Sequence, residues 1–199
     1  NGVVVVSDEI HCELTYEGRR YVPYGTVDCS LQNAVVLTSP SKSFNTAGLQ
    51  IANIICSRPD WRALIDRAIN VNEVCDVNPF GPVALEAAYN ESEQWLDALC
   101  EYIYGNFQAL CRFMADELPQ LRVTPLEGTY LVWVDISALG TTSDALCERL
   151  LSEGRVQVNS GTMYGAKTGE GFIRLNIACP RAQMMEGLRR IKNVIKQEI

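Results

Sequence analysis

The chain has 199 residues, 47% hydrophobic and 21% charged, a balance that supports one core or two small ones and excludes a disordered tail. Its net charge of -7, from 17 basic against 24 acidic residues with the basic ones dispersed, argues against a nucleic-acid partner. No apolar run approaches the roughly 20 residues that span a bilayer, and 8 cysteines with no C-x-x-C pair and 1 histidine point away from a metal site, toward reduced thiols in a cytoplasmic protein.

The start Asn1-Gly2-Val3 has neither a charged leader nor an initiator methionine, so the chain is expected to begin inside a longer gene product. Val3-Val4-Val5-Val6 is a β-branched run that predicts a strand buried on both faces of a parallel sheet, ending at Ser7-Asp8-Glu9-Ile10-His11. Residues 12–33, with Gly18, Pro23 and Gly25, read as a surface excursion. Strands are expected at 34–38 and 51–56. Between them lies a loop rich in small hydroxyl residues, Ser39-Pro40-Ser41-Lys42-Ser43, at a strand end where α/β folds tend to place their chemistry.

Arg58-Pro59-Asp60-Trp61 predicts a helix with Asp60 as N-cap, running to about Asn72 with Leu64, Ile65, Ala68 and Ile69 on one face. After the breaker Asn78-Pro79-Phe80-Gly81-Pro82, helical spacing runs from Val83 to about Leu118, with Gly105 a candidate break. Beyond Leu121 the pattern turns to strands at 121–123 and 128–136, a helix from Ser143 (as N-cap) to Ser152 with Leu146 and Leu150 inward, and a short strand at 156–158. A glycine-rich loop at 161–171, a strand at 172–178 and a final helix after Pro180, carrying Met184, Met185, Leu188, Ile191 and Ile195 at helical spacing, complete a small α+β region.

Three residues could carry chemistry: Asp8 at one strand end, Lys42 beyond another, and Arg174 inside a third. A lysine can form a Schiff base with an aldehyde, a carboxylate can hold a pyridine nitrogen protonated, and an arginine can take a carboxylate through two parallel hydrogen bonds. Each also has an ordinary reading: Lys42 a solvated loop residue, Asp8 a cap, Arg174 the solvent side of a half-exposed strand; His11, three residues after Asp8, likewise reads as a structural histidine. Spacing alone leaves these alternatives open.

Four ordered blocks go further: Ser7-Asp8-Glu9-Ile10-His11-Cys12-Glu13-Leu14, Ser39 to Gln50, Gly128-Thr129-Tyr130-Leu131-Val132-Trp133-Val134-Asp135, and Phe172 to Arg181. Together they resemble the fold type I enzymes that use pyridoxal 5'-phosphate (PLP), the class I/II aminotransferases, and within them the MalY/PatB cystathionine β-lyase-like group. The resemblance implies that Lys42 holds PLP and shuttles the substrate α-proton, that Asp8 partners the ring nitrogen, and that His11 lies by the ring hydroxyl. It implies that Ser39, assisted by Ser41, contacts the phosphate, that Gln50 stands where many aminotransferases place a phosphate-binding arginine, and that Arg174 grips the α-carboxylate of an amino-acid substrate. Tyr130 and Trp133 are expected to pack the small domain.

The same resemblance implies an α/β fold and a C-terminal portion of the family's chain. Residues 1–82 would be part of a mostly parallel PLP-binding large domain, 83–118 connecting helices, and 119–199 a small C-terminal α+β domain. The parent would be a homodimeric C–S β-lyase or aminotransferase acting on amino acids, with no membrane or nucleic-acid partner. This chain by itself is expected to be inactive, and the alternative is a truncated non-catalytic domain serving as an interaction or regulatory module.

Overall fold

The structure, a computed structural model, describes residues 2–74 and 76–197; Cys75 lies outside the described residues. The chain divides into two compact units, Asn1–Leu99 and Cys100–Ile199. Among the described residues no helix is long and apolar enough to cross a membrane.

In the first unit, the apolar run at 34–38 forms β2 (Ala34–Thr38), the middle strand of a three-stranded sheet between β1 (Val5–Asp8) and β3 (Asn53–Ile55). Ala34, Val35 and Val36 are all buried, as a central strand covered on both faces requires. The valine run behaves differently from expectation. Only Val5 and Val6 join β1, an edge strand whose burial alternates, and Val6 is 63% exposed with Val3 and Val4 exposed ahead of it. An edge strand has a neighbour on one side only, so β-branched composition alone did not place it in a core. β1 runs parallel to β2, whereas β3 is antiparallel to β2, so the described strands are half parallel rather than mostly so.

The excursion at 12–33 is less superficial than its composition suggests, since it contains a short helix, α1 (Tyr24–Val27), and buries Leu14 and Tyr16. Helix α2 (Pro59–Val71) starts one residue before the expected cap: Arg58 is the N-cap and Pro59 takes the first helical position, where its missing N–H costs nothing. Asp60 therefore sits in the first turn, complementing the helix dipole and pairing with the Arg58 guanidinium (Nε to Oδ1, 3.0 Å). The long helical stretch breaks at Ser92, between α3 (Phe80–Glu91) and α4 (Glu93–Glu117), and the Ser92 hydroxyl donates to the Ala87 carbonyl at 3.0 Å. Gly105 is interior to α4. A Cβ there would come within 2.6 Å of the Arg181 guanidinium, so this glycine serves close approach rather than chain breaking.

The second unit carries a four-stranded, wholly antiparallel sheet in the order β4 (Arg122–Val123), β5 (Leu131–Asp135), β7 (Phe172–Asn176), β6 (Asn159–Ser160). Period-2 alternation puts Val132, Val134, Ile173 and Leu175 on the buried face. Helix α5 (Ser143–Ser152) packs on β7 and on α6 (Arg181–Lys196), and these helices bury Leu146 and Leu150, and Met184, Leu188, Ile191 and Ile195, as their spacing predicted, whereas Met185, expected on the same stripe, is only half-buried. Each such side chain contributes about 1.5–3 kcal/mol on burial.

Two local expectations are corrected in this unit. The N-cap of α5 is Thr142, whose hydroxyl accepts from the Ala145 N–H at 3.2 Å. Ser143 is fully buried and instead accepts from the Gly171 and Phe172 amides at 2.9 and 3.1 Å, tying the helix start to the start of β7. The strand expected at 156–158 appears later, as β6, because the Val156 amide bonds back to the Leu150 carbonyl at 2.9 Å and closes the end of α5.

Candidate active site

Lys42 is half-buried in the loop that leaves β2, and hydrogen bonds pin the chain on both sides of it. Before it, Ser39 is 4% exposed and donates its hydroxyl proton to the Ile51 carbonyl at 2.6 Å. Ser41 lies 2.6 Å from Ser39 hydroxyl to hydroxyl, and with the Ser39 proton committed to Ile51, Ser41 is the donor of that pair. After it, Ser43 is fully buried and donates to the Glu13 carboxylate (Oε2) at 2.6 Å. The Phe44 amide closes the turn onto the Pro40 carbonyl at 2.9 Å, and its ring packs edge-on against Tyr89 and stacks on Trp95, each with centroids 5.9 Å apart.

The parallel register of β1 on β2 sets Asp8 opposite Leu37, so the aspartate stands next to the strand end from which the lysine loop springs. Asp8 is exposed, with one carboxylate oxygen accepting from the Ile10 amide at 3.2 Å. Its neighbour Glu9 is buried and structural, accepting from the Ser7 hydroxyl at 3.1 Å and the Tyr24 amide at 2.9 Å. His11 follows, half-buried. Burial lowers its pKa, the Lys42 charge lowers it further, and Asp8 and Glu13 act in the opposite sense. The imidazole is therefore neutral at neutral pH, and Asp8, Glu13 and Lys42 all lie within electrostatic reach of it.

Burial and the adjacent Glu13 push the Cys12 thiol up to about 12, and burial with the Glu13 charge pushes the Tyr89 phenol likewise to about 12. Both stay protonated, so neither competes with the lysine as a nucleophile. Gln50 is exposed and holds a left-handed backbone (φ 53°) that ends the 3-10 turn Ala47–Leu49.

In the second unit Arg174 occupies the middle of β7, paired with Trp133 on β5 and with Asn159 on β6. It projects from the face opposite the helix-covered core. Its guanidinium carbon stands 4.3 Å from the centroid of the Tyr164 ring, and its Nε is buried with no hydrogen-bond acceptor among the described residues. Trp133 shares this face. It meets Tyr164 edge-on at 5.3 Å and Phe172 at 6.4 Å, beside a cavity of about 430 Å³ lined also by Thr124 and Thr168. The expectation that Trp133 packs the small domain thus holds for the aromatic face and not for the core.

Asp8, His11, Ser39, Ser41, Lys42 and Gln50 fall in the first unit, and Arg174 in the second. Residue reasoning passed over Glu13, Ser43 and Tyr164. Glu13 and Ser43 stand inside the quoted blocks, but their bond joins positions 30 residues apart, which no local pattern reveals. The glycines around Tyr164 were the available signal.

An amine, a carboxylate and a neutral imidazole gathered at one strand end fit an aldehyde-bearing pyridine ring. The hydroxyls of Ser39 and Ser41 fit its phosphate once they turn from their present partners. Fold and site therefore define a protein of the PLP-dependent transferase class. A family comparison agrees: the model of aminotransferase class I and II matches residues 1–191, and the chain belongs to that family.

Among curated relatives it is 39% identical over 193 residues to the cystathionine beta-lyase PatB of Bacillus subtilis, covering 96% of this chain and 50% of that protein. It is 32% identical to the protein MalY of Escherichia coli, covering 98% and 50%. Among solved structures it superimposes on cystalysin from Treponema denticola, which contains pyridoxal 5'-phosphate, with a TM-score of 0.93 at 29% identity over 98% of this chain and 50% of that one. The chain thus spans about half the length of the relatives it matches.

Proposed function

We propose that this chain is the lysine- and arginine-bearing portion of a PLP-dependent C–S β-lyase acting on amino acids. The observation that carries the reading is the lysine loop: Lys42 is held between Ser39–Ile51 and Ser43–Glu13 hydrogen bonds, within electrostatic reach of His11, on which Asp8 also acts. PLP is the cofactor of this site, and when bound it supplies an electron sink for the negative charge left at the substrate Cα.

The chain's own residues do the rest. Lys42 anchors the cofactor through its Nζ and carries the α-proton, Asp8 keeps the pyridine nitrogen protonated, and neutral His11 offers one donor and one acceptor beside the ring. Ser39 and Ser41 supply hydroxyl donors to the phosphate. Gln50 brings no charge there, which agrees with the lyase-like group rather than with the arginine-bearing aminotransferases. Arg174 takes the substrate α-carboxylate with its free donors. Residues 1–82, 83–118 and 119–199 serve in this reading as the PLP-binding part, the connecting helices and the small domain of a cytoplasmic homodimer, and the isolated chain is inactive.

The test mixes PLP with this chain, and with the longer protein that carries it, and follows the visible absorbance of lysine-bound PLP and its removal by borohydride. Lys42→Ala abolishes the band wherever it forms. A band confined to the longer protein supports the portion reading; no band in either overturns the PLP assignment and favours an interaction module. With the band present, pyruvate release from an S-substituted cysteine identifies the lyase, whereas amino transfer to a 2-oxo acid identifies the aminotransferase.

A further inference from the structure

In the loop from β6 to β7 the glycines sit where a Cβ would meet close neighbours. A Cβ on Gly161 would lie 2.1 Å from the Gly169 carbonyl oxygen, one on Gly169 would lie 1.9 Å from the Gly161 oxygen, and one on Gly165 would lie 2.3 Å from the Thr168 hydroxyl. The two arms of the loop are thereby stapled backbone to backbone. The Gly169 amide bonds to the Gly165 carbonyl at 2.8 Å, and the Thr162 hydroxyl donates to Asp144 at 2.6 Å, fixing the loop to the start of α5. What the staple holds in place is Tyr164, at the end of the 3-10 turn Gly161–Tyr164.

Tyr164 is 48% exposed, so core burial does not account for its position. Its ring lies under the Arg174 guanidinium at 4.3 Å and is braced from the side by Trp133 at 5.3 Å. A guanidinium is planar, and one face laid on an aromatic ring loses the rotation about its last bonds. With Nε buried and no acceptor within reach among the described residues, the donors left for a ligand are those on the two Nη atoms.

We propose that Tyr164 is a positioning residue for Arg174: the stacked ring fixes the plane of the guanidinium fork so that it meets the α-carboxylate of an amino-acid ligand. This rests on the reading of Arg174 as the carboxylate's partner. The ring does the work and the hydroxyl does not, so Tyr164→Phe keeps the function and Tyr164→Leu loses it.

The experiment uses the whole PLP-loaded protein and titrates two probes, L-alanine and ethylamine, which share the amine and differ in the carboxylate, following the change in cofactor absorbance. Tyr164→Leu weakens L-alanine binding about 2- to 30-fold, the range expected from losing a cation–π contact, and leaves ethylamine binding unchanged. Tyr164→Phe stays within about 2-fold of the parent, at the lower bound of that range. Should the leucine variant not fold, Tyr164→Met gives the same comparison. Equal weakening of both probes, no weakening of either, or a Tyr164→Phe as damaging as Tyr164→Leu overturns the positioning role. Arg174→Lys separates the underlying reading: if it leaves L-alanine binding unchanged, Arg174 is not the carboxylate's partner and the function proposal fails there, independently of Tyr164.

Discussion

The two units hold their chemistry-bearing residues by different physics. Around Lys42 the chain is pinned by short, buried hydrogen bonds, from Ser39 to a carbonyl and from Ser43 to a carboxylate. Around Arg174 the hold is a π-face, a bracing tryptophan and a glycine staple, with no ion pair to the guanidinium among the described residues. On the proposed reading, a lysine that carries a proton to and fro is served by a loop held in place on both sides. On the same reading, an arginine that receives a carboxylate is better served by a π-face, which leaves its charge unneutralised, than by a carboxylate partner.

That contrast can be broken from either side. The largest effect is expected at the staple: Gly161→Ala drives a Cβ into the Gly169 carbonyl, a backbone atom that cannot swing away. It should destabilise the second unit by about 3 kcal/mol, the upper end for overpacking, with urea unfolding as the measurement. A change near zero would show that the loop relaxes freely and that the staple is not rigid.

Next comes the polar side. Ser43→Ala strips a buried donor from the Glu13 carboxylate, and hydrogen bonds to charged groups are worth about 1.5–3 kcal/mol. The same unfolding assay should register a loss in that range, and retention of full stability would mean that the Ser43–Glu13 bond contributes little to holding the lysine loop.

The smallest effect is electrostatic. The folded-state pKa of His11 lies below its ordinary 6.5, so between the two values the unfolded chain binds more protons than the folded one. Stability contributed by the neutral imidazole is complete above pH 6.5 and declines as pH falls below it, until the folded histidine also protonates. Thermal melts stepped downward from neutral pH should show a slope that His11→Gln removes. An unchanged slope in that variant would assign the acid sensitivity to other groups.

Much of the architecture was legible because it rests on period. The alternation in β5 and β7 and the apolar stripes of α5 and α6 follow from local geometry, and Leu146, Leu150, Met184 and Leu188 are buried where spacing put them. Three of the misses share another cause. Val6 has the composition of a core strand and the exposure of an edge, Ser143 has the composition of a cap and bonds across to Gly171, and Gly105 resembles a breaker while making room for Arg181. In each case the deciding neighbour is distant in the chain.

The sequence by itself determined the residue types of the candidate site and their order: a carboxylate, then an imidazole, then a lysine among hydroxyls, and far downstream an arginine on a strand. Ordered blocks of that kind name a family because chemistry dictates the identities. Only the tertiary structure decided what surrounds them: that Ser43 donates to Glu13, that Ser39 turns its proton to Ile51, and that the Tyr164 ring lies under the Arg174 guanidinium carbon. Those facts depend on chain segments meeting through packing and register, which no hydrophobic period reports.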